Sequence, residues 1–159
     1  MSNKSSEQLL QEVLDREAIR DLVNNYCHVL WREEIDDYPK LYTEDAILRW
    51  TNPDRPPVQG RKALHELIGP MVRDHKPRQF VHNLVVQLLG PDTAKGRCCV
   101  EVRIILDGEE GYLVAYYEDQ FVKVDGEWKF KVREVTLEYF GPRGGYTPPA
   151  EKTTASWFQ

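Results

Sequence analysis

From Phe80 to Phe140 the chain reads as one strand after another, interrupted only by Gly90-Pro91-Asp92, Asp107-Gly108 and Asp125-Gly126. Asp-Gly pairs supply the positive φ that tight hairpins need, so consecutive runs joined this way pair as antiparallel neighbours. The runs Phe80–Leu89, Lys95–Leu106, Gly111–Val124 and Glu127–Phe140 therefore predict a meander. The last three far exceed the usual strand of about five or six residues. Sheets of such strands twist, curl and carry bulges, which gives them a concave face.

Helical patterns precede the strands. Within Glu7–Trp31, Ile19, Leu22, Val23, Tyr26 and Leu30 recur at helical spacing, with Glu17, Arg20, Asp21 and Asn24 on the opposite side. Ile35, Tyr38, Leu41 and Tyr42 suggest a second, short helix with Pro39 in its first turn. Ala46–Trp50 reads as a strand with Leu48 and Trp50 on one face, and the proline-rich stretch Thr51–Pro57 as a loop able to rim a pocket. Ala63, Leu64, Leu67, Ile68, Met71 and Val72 restore the helical period, with a kink or break expected at Gly69-Pro70. Helices followed by a long antiparallel sheet make an α+β architecture. It is read as one domain over 1–159, with an irregular extension at 141–159.

A curled sheet closed by helices holds a cavity, and strand alternation nominates its lining. His82 shares a face with Leu84, Val86 and Leu88, so an imidazole heads an apolar row. That makes His82 a candidate base, the alternative being a hydrogen-bonded core histidine. On the later strands the concave face should carry Cys98, Val100 and Val102, then Leu113, Ala115 and Tyr117, then Lys131, Arg133, Val135, Leu137 and Tyr139, unless a bulge shifts them by one. Tyr26, Trp31, Leu48 and Trp50 add further wall. Arg133 is a strong charge in an apolar row and needs a partner, either a protein acid or an anionic substrate group.

Composition narrows the function classes. The net charge is −5, from 21 Lys+Arg against 26 Asp+Glu, with the basic residues scattered, which disfavours nucleic acid. No apolar run approaches the roughly 18 residues of a membrane span. The N-terminus does not lead into an apolar leader segment, so the expected compartment is the cytoplasm. Cys27, Cys98 and Cys99, and His28, His65, His75 and His82, lack metal-site spacing, so neither a metal nor another cofactor is expected.

Four segments carry a resemblance to the SnoaL-like group of the nuclear-transport-factor-2-like superfamily. They are Glu17-Ala18-Ile19-Arg20-Asp21-Leu22, Leu41-Tyr42-Thr43-Glu44-Asp45-Ala46, Val81-His82-Asn83 and Asp125-Gly126-Glu127-Trp128-Lys129-Phe130. The likeness covers nearly the whole chain and implies a cone of curled sheet and helices. Within the group the chain resembles lyases of the hexachlorocyclohexane dehydrochlorinase, scytalone dehydratase and bile acid dehydratase types, which use no cofactor. In those relatives a histidine oriented by an aspartate removes a proton from carbon. The resemblance places that histidine at His82, a pocket arginine at Arg133 and a helix tyrosine at Tyr26. It places Trp31 where the orienting aspartate belongs and Val102 where a second acid stands.

The resemblance thus implies a lyase or isomerase acting by proton abstraction on a small apolar, aromatic or polycyclic substrate. Its catalytic residues would be His82, Tyr26 and Arg133, with Trp31, Trp50, Tyr117, Cys98, Val102 and Leu48 around the substrate. The alternative is a non-catalytic ligand-binding module or the small subunit of a ring-hydroxylating dioxygenase. The outer sheet face with Tyr112, Val114 and Tyr116 suggests a homo-oligomer, a dimer or trimer.

Overall fold

The computed structural model of the chain describes residues 4–145. Helix α1 (Ser6–Trp31) starts at a capping box: the Ser5 hydroxyl accepts from the Gln8 amide, and the Gln8 side chain accepts from the Ser5 amide. Such a cap contributes about 1 kcal/mol. A 3-10 turn (Tyr38–Leu41) with Pro39 near its start leads into β1 (Tyr42–Trp50), followed by the short β2 (Val58–Gln59). Helix α2 (Arg61–His75) precedes the meander of β3 (Arg78–Leu88), β4 (Thr93–Leu106), β5 (Glu109–Val124) and β6 (Glu127–Pro142).

The six strands lie in the order β2-β1-β6-β5-β4-β3. The α+β expectation and the antiparallel meander hold, with one correction: β1 pairs parallel to β6, so the sheet is mixed. The chain reaches that edge through α2 and the whole meander, a long connection that permits parallel pairing. Helix α2 runs through Pro70 without the expected break. Losing one backbone bond there is outweighed by the buried row Leu64, Ile68 and Val72, which fixes the helix on the body. Of the extension expected from Gly141, the described part continues β6 through Pro142, and the rest lies outside the described residues.

Three bulges decide which side chains face inward. In β3 the register shifts between His82 and Val85, where Asn83 has φ 54°. In β6, Glu138 and Lys131 have no cross-strand partner. Each extra residue reverses the inside-outside parity beyond it. Phe130 therefore faces the core in place of Lys131, which reaches Asp45 at the surface, and Phe140 turns inward in place of Tyr139. Helix α1 covers this concave face with Ile19, Val23, Tyr26 and Leu30, all buried. Phe130 contacts the rings of Tyr26, Tyr42 and Phe121 at centroid distances of 5.0 to 6.0 Å, the range of attractive aromatic packing.

Candidate functional site

The concave face of the sheet and the two helices enclose a cavity of about 350 Å³. This is at the lower end of small-molecule sites, room for a ligand of one or two rings. Most of its wall is apolar, including Leu48 and Trp50 from β1, Val102 and Ile104 from β4, and Ala115 from β5. Polar groups converge on one part of it. Tyr26 of α1 and Tyr117 of β5 meet as a hydrogen-bonded pair of phenols, and the Gln79 amide donates to Tyr117 Oη at 3.4 Å. Tyr38 lies beside them, its hydroxyl 2.9 Å from that of Tyr42.

Burial raises the pKa of Tyr26, against the lowering pull of the Arg133 charge. It raises Tyr117 well above the ordinary phenol range, helped by the proximity of Tyr26. Both phenols therefore stay protonated and remain neutral hydrogen-bond donors.

Arg133 projects from β6 beneath these rings, 1% exposed. Its Nε and Nη2 donate to the two carboxylate oxygens of Asp119 at 2.8 and 2.9 Å. Its guanidinium carbon lies 4.2 to 4.4 Å from the ring centroids of Phe130, Tyr26 and Tyr117. Of the two partners open to Arg133, the structure supplies the protein acid. Desolvation works against the charge, but Asp119 outweighs it and holds the group fully protonated. One nitrogen, Nη1, is buried without a hydrogen-bond partner.

His75, at the end of α2, is the cavity's histidine. Its Nδ1 lies 3.0 Å from the carbonyl oxygen of Ile105. A carbonyl can only accept, so Nδ1 carries the proton and Nε2 is the nitrogen able to take another. Arg55 of the proline-rich loop stacks on Trp50, 3.6 Å from the ring centroid, and both line the cavity.

Six of the nine nominated residues line this cavity: Tyr26, Arg133, Leu48, Trp50, Tyr117 and Val102. Three do not. His82 is on the outer face, paired across to Cys99, its side chain 47% exposed and its Nε2 3.9 Å from Glu101 Oε2. Gln79 and Val81 face inward before the Asn83 bulge and Val86 after it, so His82 never shares the face of Val86. Trp31 packs edge-on against Phe80 and donates its Nε1 to the Gln79 carbonyl at 3.0 Å, outside the cavity. Cys98 is buried but packed behind the wall, and desolvation pushes its thiol up to about 12, which makes it an inert core residue.

The SnoaL-like domain profile matches residues 11–134. This chain belongs to the SnoaL-like domain family. Solved structures agree on the fold. A scytalone dehydratase, provisionally so named, from Novosphingobium aromaticivorans superposes with a TM-score of 0.74 at 22% identity, over 86% of this chain and 98% of that chain. A hexachlorocyclohexane dehydrochlorinase from Novosphingobium barchaimii gives 0.73 at 20% identity, over 88% and 99%. A protein from Novosphingobium aromaticivorans with the provisional name aromatic ring hydroxylase gives 0.72 at 22%, over 80% and 91%. At these identities the likeness is one of fold. No curated protein matches the sequence significantly.

Besides Arg55, three residues of this SnoaL-like site escaped the reading of the sequence. Asp119 stands directly across from Arg133 in the β5–β6 register, two residues beyond the inward Tyr117. An acid at an inward position opposite a buried arginine was a usable signal. His75 lies three residues after Val72 and seven after Ile68, on the same helical face. Gln79 needed only the strand parity, which the Asn83 bulge obscured.

Proposed function

We propose that this SnoaL-like protein is a cofactor-independent lyase or isomerase that moves a proton at a carbon next to an oxygen-bearing carbon of a small, mostly apolar ring compound. The observation that carries the reading is the convergence of Tyr26, Tyr117 and Gln79 in a cavity that also holds His75 with its proton-accepting nitrogen defined. The phenol whose O–H is not spent within the pair holds the substrate oxygen and, polarised by its partner, stabilises the negative charge that develops when the neighbouring C–H bond breaks. His75 Nε2 takes the proton and can return it to another atom or to a leaving group. Arg133, already neutralised by Asp119, positions the phenols from beneath. The lyase names among the structural neighbours fit this reaction class. His82, on the outer face, has no part in it.

A second reading, a ligand carrier or the subunit of a ring hydroxylase, is favoured by one observation. Among the described residues no aspartate or glutamate lines the cavity, so the imidazole has no carboxylate to stabilise its charged form. Solvent exchange separates the two. Cyclic ketones of one or two rings incubated with the protein in D₂O should gain deuterium α to the carbonyl faster than buffer allows. Binding without exchange would favour the carrier.

A further inference from the structure

The chain is acidic overall, with 26 Asp+Glu against 21 Lys+Arg, yet the charged side chains on the cavity wall are of the other sign. Arg55 and Arg133 line it, and among the described residues no carboxylate does. The two arginines are not equivalent. Arg133 is compensated by Asp119 within hydrogen-bonding distance. Among the described residues Arg55 has neither an ion pair with a carboxylate nor a neighbouring charge that shifts it. Among the described residues, then, the positive charge of Arg55 at the cavity wall has no acidic partner.

Its placement suits a ligand contact. Stacking on Trp50 at 3.6 Å holds the guanidinium by its face, which leaves its N–H edge available for hydrogen bonds in the plane. Partial desolvation pulls its pKa down from the ordinary value, an environment in which a counter-ion is attracted more strongly than in bulk water. The exposed part of the wall also carries apolar residues: Leu137 and Phe140 line the cavity and are 45% and 51% exposed. An apolar wall and a pre-stacked cation in one cavity fit a molecule that is itself part apolar and part anionic.

We infer that the ligand of this cavity is an anionic amphiphile, a body of one or two rings bearing a carboxylate that the Arg55 guanidinium holds at the cavity wall, against Trp50. The inference rests on the cavity being a small-molecule site and adds the substrate class. The ring body lies against the apolar wall, its inner end reaches the Tyr26–Tyr117 pair, and its carboxylate takes a two-point contact from the arginine edge. Arg55 is thus a specificity residue and takes no part in proton transfer.

The test compares naphthalene-2-carboxylate with the isosteric, neutral naphthalene-2-carboxamide. Binding is followed by calorimetry, in the wild-type chain and in Arg55→Gln. Wild type should bind the carboxylate about tenfold or more tighter than the amide, the scale of a charge-assisted contact, with the ratio falling as salt rises. Arg55→Gln should bring the ratio close to one while amide affinity changes by less than about twofold. Equal affinities in wild type, or a carboxylate preference that survives Arg55→Gln, would overturn the inference and leave the cavity standing as a neutral-ligand site. If neither probe binds at millimolar concentration, the small-molecule reading of the cavity falls, and the inference with it.

Discussion

Arg133 and Asp119 form a two-point ion pair across β5 and β6, with 1% and 0% of their side chains exposed. Each ion is tolerable in the core only because of the other. Asp119→Asn should therefore destabilise the protein by about 3 to 5 kcal/mol, because it leaves a buried guanidinium without its counter-charge. Replacing both together, Asp119→Leu with Arg133→Met, should cost less than either single change, since no charge then remains buried. Urea unfolding midpoints decide it, and a double variant that costs the sum of the singles would show that the pair is not coupled.

Asp15 makes the acid limb of stability predictable. It is buried, pairs with Lys123 at 2.6 Å and accepts from Trp128 Nε1 at 3.0 Å. Burial raises its pKa, but the hydrogen bonds from Lys123 and Trp128 outweigh that and hold the carboxyl below its ordinary value. A carboxyl depressed by folding stabilises the native state above its unfolded pKa and loses that contribution as pH falls through its folded one. Thermal midpoints of the wild type should therefore fall below about pH 4, on the scale of an unperturbed aspartate. Asp15→Asn should be less stable at pH 7 by about 1 to 3 kcal/mol, with the difference narrowing as the pH drops. A gap constant with pH would contradict this.

The phenol pair predicts a separation between stability and binding. Tyr26→Phe and Tyr117→Phe keep the aromatic packing around Phe130 and Arg133 and remove only a hydroxyl. Each should weaken binding of a ring ketone by about 1 kcal/mol or more while a hydrocarbon of the same shape binds unchanged. Titration calorimetry with the matched pair of ligands reads this out. Equal losses for both ligands would mean that the hydroxyls do not contact the oxygen.

The outer sheet face predicts association. Val85 and Ile105 are 52% and 42% exposed, and Tyr112, Val114 and Tyr116 alternate outward between the cavity-side residues of β5. We expect a dimer or trimer by light scattering, and Val114→Lys should shift it toward the protomer. A monomeric wild type at high protein concentration would refute it.

The meander was legible because turn chemistry is local: Asp107-Gly108 and Asp125-Gly126 sit at hairpin turns, with positive φ at all four residues. Helix α1 was legible because its apolar face is periodic. What could not be read was parity. Asn83, Lys131 and Glu138 each insert one residue into a strand, and which residue bulges depends on cross-strand packing. That single uncertainty moved His82 outside, brought Phe140 in, and hid Gln79. Trp31 failed for a different reason. It is the last residue of α1, where its indole packs over the β3 edge onto Phe80 and leaves the cavity side to Tyr26.

The central claim is that the site lies at His75, Tyr26 and Tyr117, and that the outer-face histidine plays no part. Its most direct test is the rate at which deuterium from solvent enters the α position of a bound ring ketone, followed by NMR for the wild type, His75→Ala and His82→Ala. The account predicts exchange in the wild type, unchanged exchange in His82→Ala, and a fall of about a hundredfold or more in His75→Ala, the usual contribution of a positioned base. Exchange that survives His75→Ala and is abolished in a folded His82→Ala would contradict it.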